Sequence, residues 1–181
     1  MDNTVRRYTV VLHSENQIGV LNQVANIFTR HSLNMSSMSA NASPLEGIHT
    51  ISIVTDTVEK KIIEVVQQLE KKVDIVRAFY YSDEQTVYRE LALYKVPTDK
   101  IIGSGNIEEI LQGYYAKIIE INRDFTVISK VGTTEETQQL YNELSRFGVM
   151  QFQRSGQIMV SREKQEPLYK YLEEREKVKS K

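Results

Sequence analysis

Two periods of apolar residues recur along the chain, and they recur in the same order in each half. Tyr8, Val10 and Leu12 alternate with Thr9, Val11 and His13 in a β-branched run, which predicts a strand. Leu21, Val24, Ala25 and Phe28 then fall at i, i+3, i+4 and i+7, the spacing of one apolar helix face. Extended stretches follow over about 34–42 and 47–55, separated by Ser43-Pro44-Leu45-Glu46, which carries turn residues. Ile62, Val65, Val66 and Leu69 restore the helical spacing, and 73–80 reads as a strand. The predicted order is β-α-β-β-α-β.

The polar stretch 81–86 reads as a short linker, after which the order returns. A strand is expected over 87–96, and Ile107, Ile110, Leu111 and Tyr114 mark a third helical face. Residues 117–121 and 126–131 read as strands around the turn Asn122-Arg123-Asp124. Thr137, Leu140, Tyr141 and Leu144 form the fourth helical face, with Thr133 and Glu136 as its capping box and Gly148 as its stop. A last extended stretch covers 151–160, broken at Gly156.

Each half therefore fits a ferredoxin-like βαββαβ unit, an antiparallel four-stranded sheet with two helices on one face. The expected fold class is α+β, two such domains in tandem, over 5–81 and 86–162, followed by a solvated charged tail over 163–181 with room for a short helix around Leu168–Leu172 before it frays. Such a layer leaves one sheet face bare and its edge strands unpaired, so pairing with another copy or another protein is expected. The halves share an order of elements rather than a residue repeat.

Composition narrows the function classes. The chain has 181 residues, 40% hydrophobic and 26% charged, with Lys and Arg (23) almost balancing Asp and Glu (24). A near-neutral chain has no global attraction for nucleic acid or an anionic membrane surface. There is no cysteine, which excludes disulfides and thiolate chemistry and fits a reducing cytoplasm. Neither a signal-like apolar run near Met1 nor a stretch approaching the roughly eighteen apolar residues of a membrane span is found.

Catalytic patterns are not found. His13, His31 and His49 are scattered without metal-ligand spacing, and no nucleophile elbow, zinc-protease pair or phosphate-binding loop occurs. Gly103-Ser104-Gly105-Asn106 superficially resembles a phosphate cradle, but it lacks a third glycine, and Glu108 and Glu109 follow it. It reads as a loop ending in an Asn106 helix cap. No metal or cofactor is expected on this chain.

The strongest functional signal is the run from Leu12 to Leu21, where a strand ends, a polar loop turns and Gly19 opens an amphipathic helix. Free amides at a helix start can hold a carboxylate, aided by the helix dipole. Gly19 allows close backbone approach, and Asn16 offers both a donor and an acceptor to an amino acid. The same residues also suit a purely structural turn, with Asn16 as its cap.

The pattern Asn16-x-x-Gly19-Val20-Leu21 after a first strand resembles the ACT domain, a βαββαβ module that commonly senses amino acids. Four further blocks are similar to the small subunits of acetolactate synthase (acetohydroxyacid synthase). They are Leu33–Met38, Val73–Arg77, Arg89–Val96, and Arg154-Ser155-Gly156 followed by Ser161-Arg162. The resemblance implies a non-catalytic regulatory subunit that activates a separate catalytic chain in valine, leucine and isoleucine biosynthesis. That partner would carry thiamine diphosphate, Mg and usually FAD. It further implies a homodimer in which one copy offers Asn16, Gly19 and Val20, and the other Asn34 and Met35, to an effector such as valine. Met35 and Ser36 depart from the family's usual Ile and acidic residue, so effector strength is less secure than activation.

Two other classes compete. A free-standing ACT sensor of transcription or of another enzyme would share the loop but lack the blocks at 89–96 and 154–162. A small ferredoxin-like enzyme would need convergent acid–base groups, which the sequence does not offer.

Overall fold

The computed structural model describes residues 4–102, 105, 107–165 and 167–179, with 174–179 as backbone only. The helix cap read at Asn106 lies outside the described residues. The chain forms two compact units. One runs up to Val87 and takes in the stretch from Met159 onward, and the other is Tyr88–Ile158.

In the first unit, strand β1 (Arg6–Glu15) leads through a loop to helix α1 (Val20–Arg30). Strands β2 (Ser37–Ala42) and β3 (Ile48–Thr57), helix α2 (Glu59–Leu69) and strand β4 (Ile75–Ser82) complete the predicted order. The sheet is antiparallel in the order β2-β3-β1-β4. Tyr8, Val10 and Leu12 of β1 meet Val24, Ile27 and Phe28 of α1 and Ile62, Val65 and Leu69 of α2 in one core. The apolar face of α1 is Val20, Val24, Ile27 and Phe28. Leu21, predicted to face the core, is exposed, and Ala25 is half-buried. Both sets satisfy helical spacing, and packing against β1 and α2 selects the phase.

The expected linker is ordered. A 3-10 turn over Asp83–Gln85 is closed by a capping box in which Gln85 Oε1 accepts from the Ser82 backbone N–H at 2.8 Å. Strand β5 (Thr86–Pro97) follows directly. Beyond it come helices α3 (Thr98–Ile102) and α4 (Ile107–Gly113), strands β6 (Lys117–Ile121) and β7 (Phe125–Gly132), helix α5 (Thr134–Leu144) and strand β8 (Gln151–Arg154). The short helix α3 has no counterpart in the sequence reading. The order β6-β7-β5-β8 repeats that of the first sheet, and a further strand, β9 (Ile158–Ser161), also pairs with β5. Thr133 and Glu136 form the predicted capping box, and the chain leaves α5 through a 3-10 turn to Gly148, whose φ is 81°.

The end of the chain differs from the expected solvated tail. Helix α6 spans Pro167–Lys179, Leu168 is only 2% exposed, and the Arg77 guanidinium stacks over the Tyr171 ring at 4.8 Å. The face of the first sheet away from α1 and α2, expected to be bare, instead has Thr9, Val11, His13 and Tyr81 buried. Met159, Val160 and Pro167 line a space against Val11 and Phe79 of that face. The physical reason is that a few apolar residues, led by Leu168, can anchor a segment that is otherwise charged.

Candidate functional site

The loop between β1 and α1 is held open by its neighbours. The Asn16 amide donates to the Gly47 carbonyl at 3.2 Å, and the Glu15 amide donates to the Asp74 carbonyl at 3.0 Å. The Asp74 carboxylate also accepts from Gln23 Nε2 at 2.9 Å, so one residue of the Val73–Arg77 block fixes both the loop and the first turns of α1. Gly19 is the residue preceding the helix, with φ of 92° and ψ of −4°. A side chain there would be strained even though a Cβ would meet nothing within 4 Å. Asn16 does not cap the helix, because the N-cap position is Gly19 and no side chain bonds there. The Val20 amide donates to the Gln17 carbonyl at 3.4 Å, and the amides that follow it in the first turn keep their helix-terminal donor capacity.

Asn16, Gly19 and Val20 line one cleft of about 180 Å³ together with Ala40, His49 and Ile51. The sheet register accounts for this set: Ile51 stands opposite both Leu12 and Ala40, and His49 stands opposite Ser14. These three strand residues escaped the sequence reading because nothing in a linear pattern reveals cross-strand register. Val20 is buried and also belongs to the core, whereas Ile18 is wholly exposed on the loop. The cleft therefore offers amide donors and an amide side chain at its rim, an imidazole, and a small aliphatic floor. A volume of this size lies below the roughly 300–1,000 Å³ of ordinary ligand pockets and leaves no room for a nucleotide.

Asn34 and Met35 are not in this cleft. Asn34 is exposed, and its carbonyl accepts from Thr55 Oγ1 at 2.7 Å. Met35 is half-buried against the first core. Both sit just before β2, the edge strand of the sheet.

The histidines have separate settings. His13 is 2% exposed, with Nδ1 3.1 Å from Thr50 Oγ1, and burial pushes its pKa down to about 4. His31 lies 3.8 Å from the Glu64 carboxylate, and His49 lines the cleft. Among the described residues, no group of three or more His, Asp or Glu is arranged to hold a metal ion. No described helix is long and apolar enough to cross a membrane.

In the second unit, the Arg89–Val96 and Arg154–Gly156 blocks dock on each other. Glu90 is buried and accepts from Thr137 Oγ1 at 2.7 Å and Thr134 Oγ1 at 3.1 Å. Arg154 Nε lies 2.9 Å from Glu90 Oε1 as an ion pair without hydrogen-bond alignment, and its Nη2 donates to Gln138 at 3.1 Å. Leu91 and Ser155 exchange bonds of 2.9 and 2.8 Å. Beside this network the Tyr94 hydroxyl donates to the Thr137 carbonyl at 2.7 Å, and burial raises its pKa. Arg154 is thus engaged inside the unit.

Comparison with known proteins joins the two units to one family. Residues 11–77 match the model described as the AHAS small subunit-like ACT domain, and residues 89–163 match that of the small subunit of acetolactate synthase. The acetolactate synthase small subunit of Mycolicibacterium smegmatis is 27% identical, over 90% of this chain and 95% of its own. A probable acetolactate synthase small subunit of Archaeoglobus fulgidus is 26% identical over 86% and 97%. The crystal structure of the acetolactate synthase small subunit from Thermotoga maritima superposes with a TM-score of 0.79 at 27% identity, covering 88% of this chain and 99% of that one. With both units matched in order, and the cleft lying within the matched ACT segment, the chain belongs to the acetolactate synthase small-subunit family.

Proposed function

We propose that this chain is the regulatory subunit of an acetolactate synthase: it activates a separate catalytic chain and lowers that activity when a small amino acid, valine first, binds at the β1–α1 loop. The observation that carries the effector reading is the cleft itself, where Asn16, Gly19 and Val20 meet Ala40, His49 and Ile51 at the opening of an eleven-residue helix. The α1 amides receive the effector carboxylate, Asn16 receives its charged groups, and Ile51 and Val20 form the aliphatic floor. Burying a valine-sized side chain there is worth roughly 1.5–3 kcal/mol. Asn34 and Met35 complete the site from a second copy, because they precede the edge strand β2, where a homodimer partner can lie alongside.

Thiamine diphosphate, Mg and FAD belong to the catalytic partner in this reading, and the complex works in the cytoplasm. Regulation needs only about 1–3 kcal/mol of coupling between effector and partner, a several-fold change in activity.

The experiment mixes this chain with a cognate catalytic subunit and follows acetolactate formation with and without valine. Activation that rises with stoichiometry and falls on adding valine is expected. Asn16→Ala and Gly19→Asp should lose valine binding by calorimetry yet keep the activation. Unchanged acetolactate formation at every stoichiometry sinks the regulatory reading, and unchanged valine affinity in both variants moves the effector site elsewhere.

A further inference from the structure

The C-terminal segment creates a second concavity in the first unit, apart from the β1–α1 loop. A cavity of about 420 Å³ is lined by α2, β4 and α6, within the size range of ordinary small-molecule sites. Every residue lining it belongs to the first unit. Val66, Phe79 and Tyr171 present apolar and aromatic surface, and Arg77 and Lys170 supply two cations. Glu163 lines the side shared with a neighbouring space of about 330 Å³ over the back of the sheet.

Arg77 is the distinctive member. Its Nη1 lies 2.9 Å from Glu70 Oε1, and its guanidinium stacks on Tyr171. Its Nε is buried and, among the described residues, has no hydrogen-bond partner. A guanidinium carries five N–H donors in a rigid fork shaped for carboxylates, and Glu70 leaves part of that capacity unused. The Nε is closed off from the cavity, but the side chain is 40% exposed and lines it, so a ligand there meets the outer N–H groups of the fork.

We propose that this cavity is a binding site for a small carboxylate carrying a flat apolar body, with the carboxylate on Arg77 and Lys170 and the body against Tyr171, Phe79 and Val66. The family matches end at residue 163, so Pro167, Lys170 and Tyr171 lie beyond them. The site is independent of the effector cleft, and its existence does not rest on the regulatory reading.

The test uses the full chain and phenylpyruvate as the probe, titrated by calorimetry, with inorganic phosphate and benzyl alcohol as partial probes. Phenylpyruvate should bind, and each partial probe should bind at least about tenfold more weakly. Arg77→Gln and Lys170→Gln should each weaken phenylpyruvate by about tenfold or more, and Asn16→Ala should leave it unchanged. Because Lys170 is an exposed position on α6, its variant decides the matter if Arg77→Gln fails to fold. No binding of phenylpyruvate at millimolar concentration overturns the proposal. So does equal affinity in both cation variants, equal binding of phosphate, or loss of binding on Asn16→Ala.

Discussion

The two sheets of this protein share a strand order, β2-β3-β1-β4 in the first and β6-β7-β5-β8 in the second, but their far faces are treated differently. In the first, β1 is buried on both sides: Tyr8, Val10 and Leu12 toward the helices, Thr9, Val11 and His13 on the back. In the second, β5 keeps a one-sided pattern. Ala92, Tyr94 and Val96 are buried, whereas Leu91 and its cross-strand partner Val131 are 43% and 61% exposed. The central strand of a one-layer sheet is expected to alternate in this way, and continuous burial requires a second layer. Residues beyond Met159 supply that layer in the first unit. Packing is organised differently as a result, on two faces of the sheet in one unit and, in the other, on one face where the apolar core is joined by the buried Glu90 network.

The largest test of that contrast is Arg154→Ala. It leaves Glu90 buried with only two threonine hydroxyls, and should cost about 3–5 kcal/mol, read from urea unfolding monitored in the second unit. A loss below 1 kcal/mol would mean that water satisfies Glu90 and that the network is not the second unit's anchor.

Next in size is a pH effect confined to the first unit. His13 titrates at about 4 when folded, against 6.5 for the ordinary group. The unfolded chain takes up the proton first, so this contribution is fully present above pH 6.5 and is lost as pH falls toward 4. The total is about 3 kcal/mol. His13→Gln should flatten the fall in stability over that window relative to the parent, and identical slopes would show that the imidazole is reached by water.

Leu168→Ala should cost about 2 kcal/mol, the lower end for a buried leucine, because α6 can settle into part of the space. The same change should speed amide exchange at Thr9 and Val11, making the first sheet behave like the second. No change in exchange would show that the back face is not protected by α6. Smallest is Val131→Ser, on the open face of the second sheet, expected to shift stability by less than about 0.5 kcal/mol in a thermal melt. A larger loss would reveal that this face is covered in solution.

Much of the fold was legible along the chain, for reasons particular residues make plain. Ile62, Val65, Val66 and Leu69 all turned inward, and Thr133 and Glu136 closed the capping box their spacing called for. The candidate site was legible only in its sequence-local part. Asn16, Gly19 and Val20 lie within five consecutive positions, so a local pattern is enough to bring them together. Ala40, His49 and Ile51 come from two other strands, so their presence depends on register. Asn34 and Met35, read as site residues by resemblance, lie outside the cleft of a single chain.

The sequence by itself determined the order of elements, the two-fold use of one topology and the place of the β1–α1 loop, because periodicity and turn chemistry act over a few residues. Tertiary structure alone decided three things. It chose which of two equally spaced faces of α1 turns inward, it joined Glu90 to Arg154 across more than sixty residues of chain, and it folded the charged C-terminal segment onto the first sheet. Each depends on where distant residues meet, and burial of one leucine with one stacked arginine can outweigh the solvation of a segment that reads as a free tail.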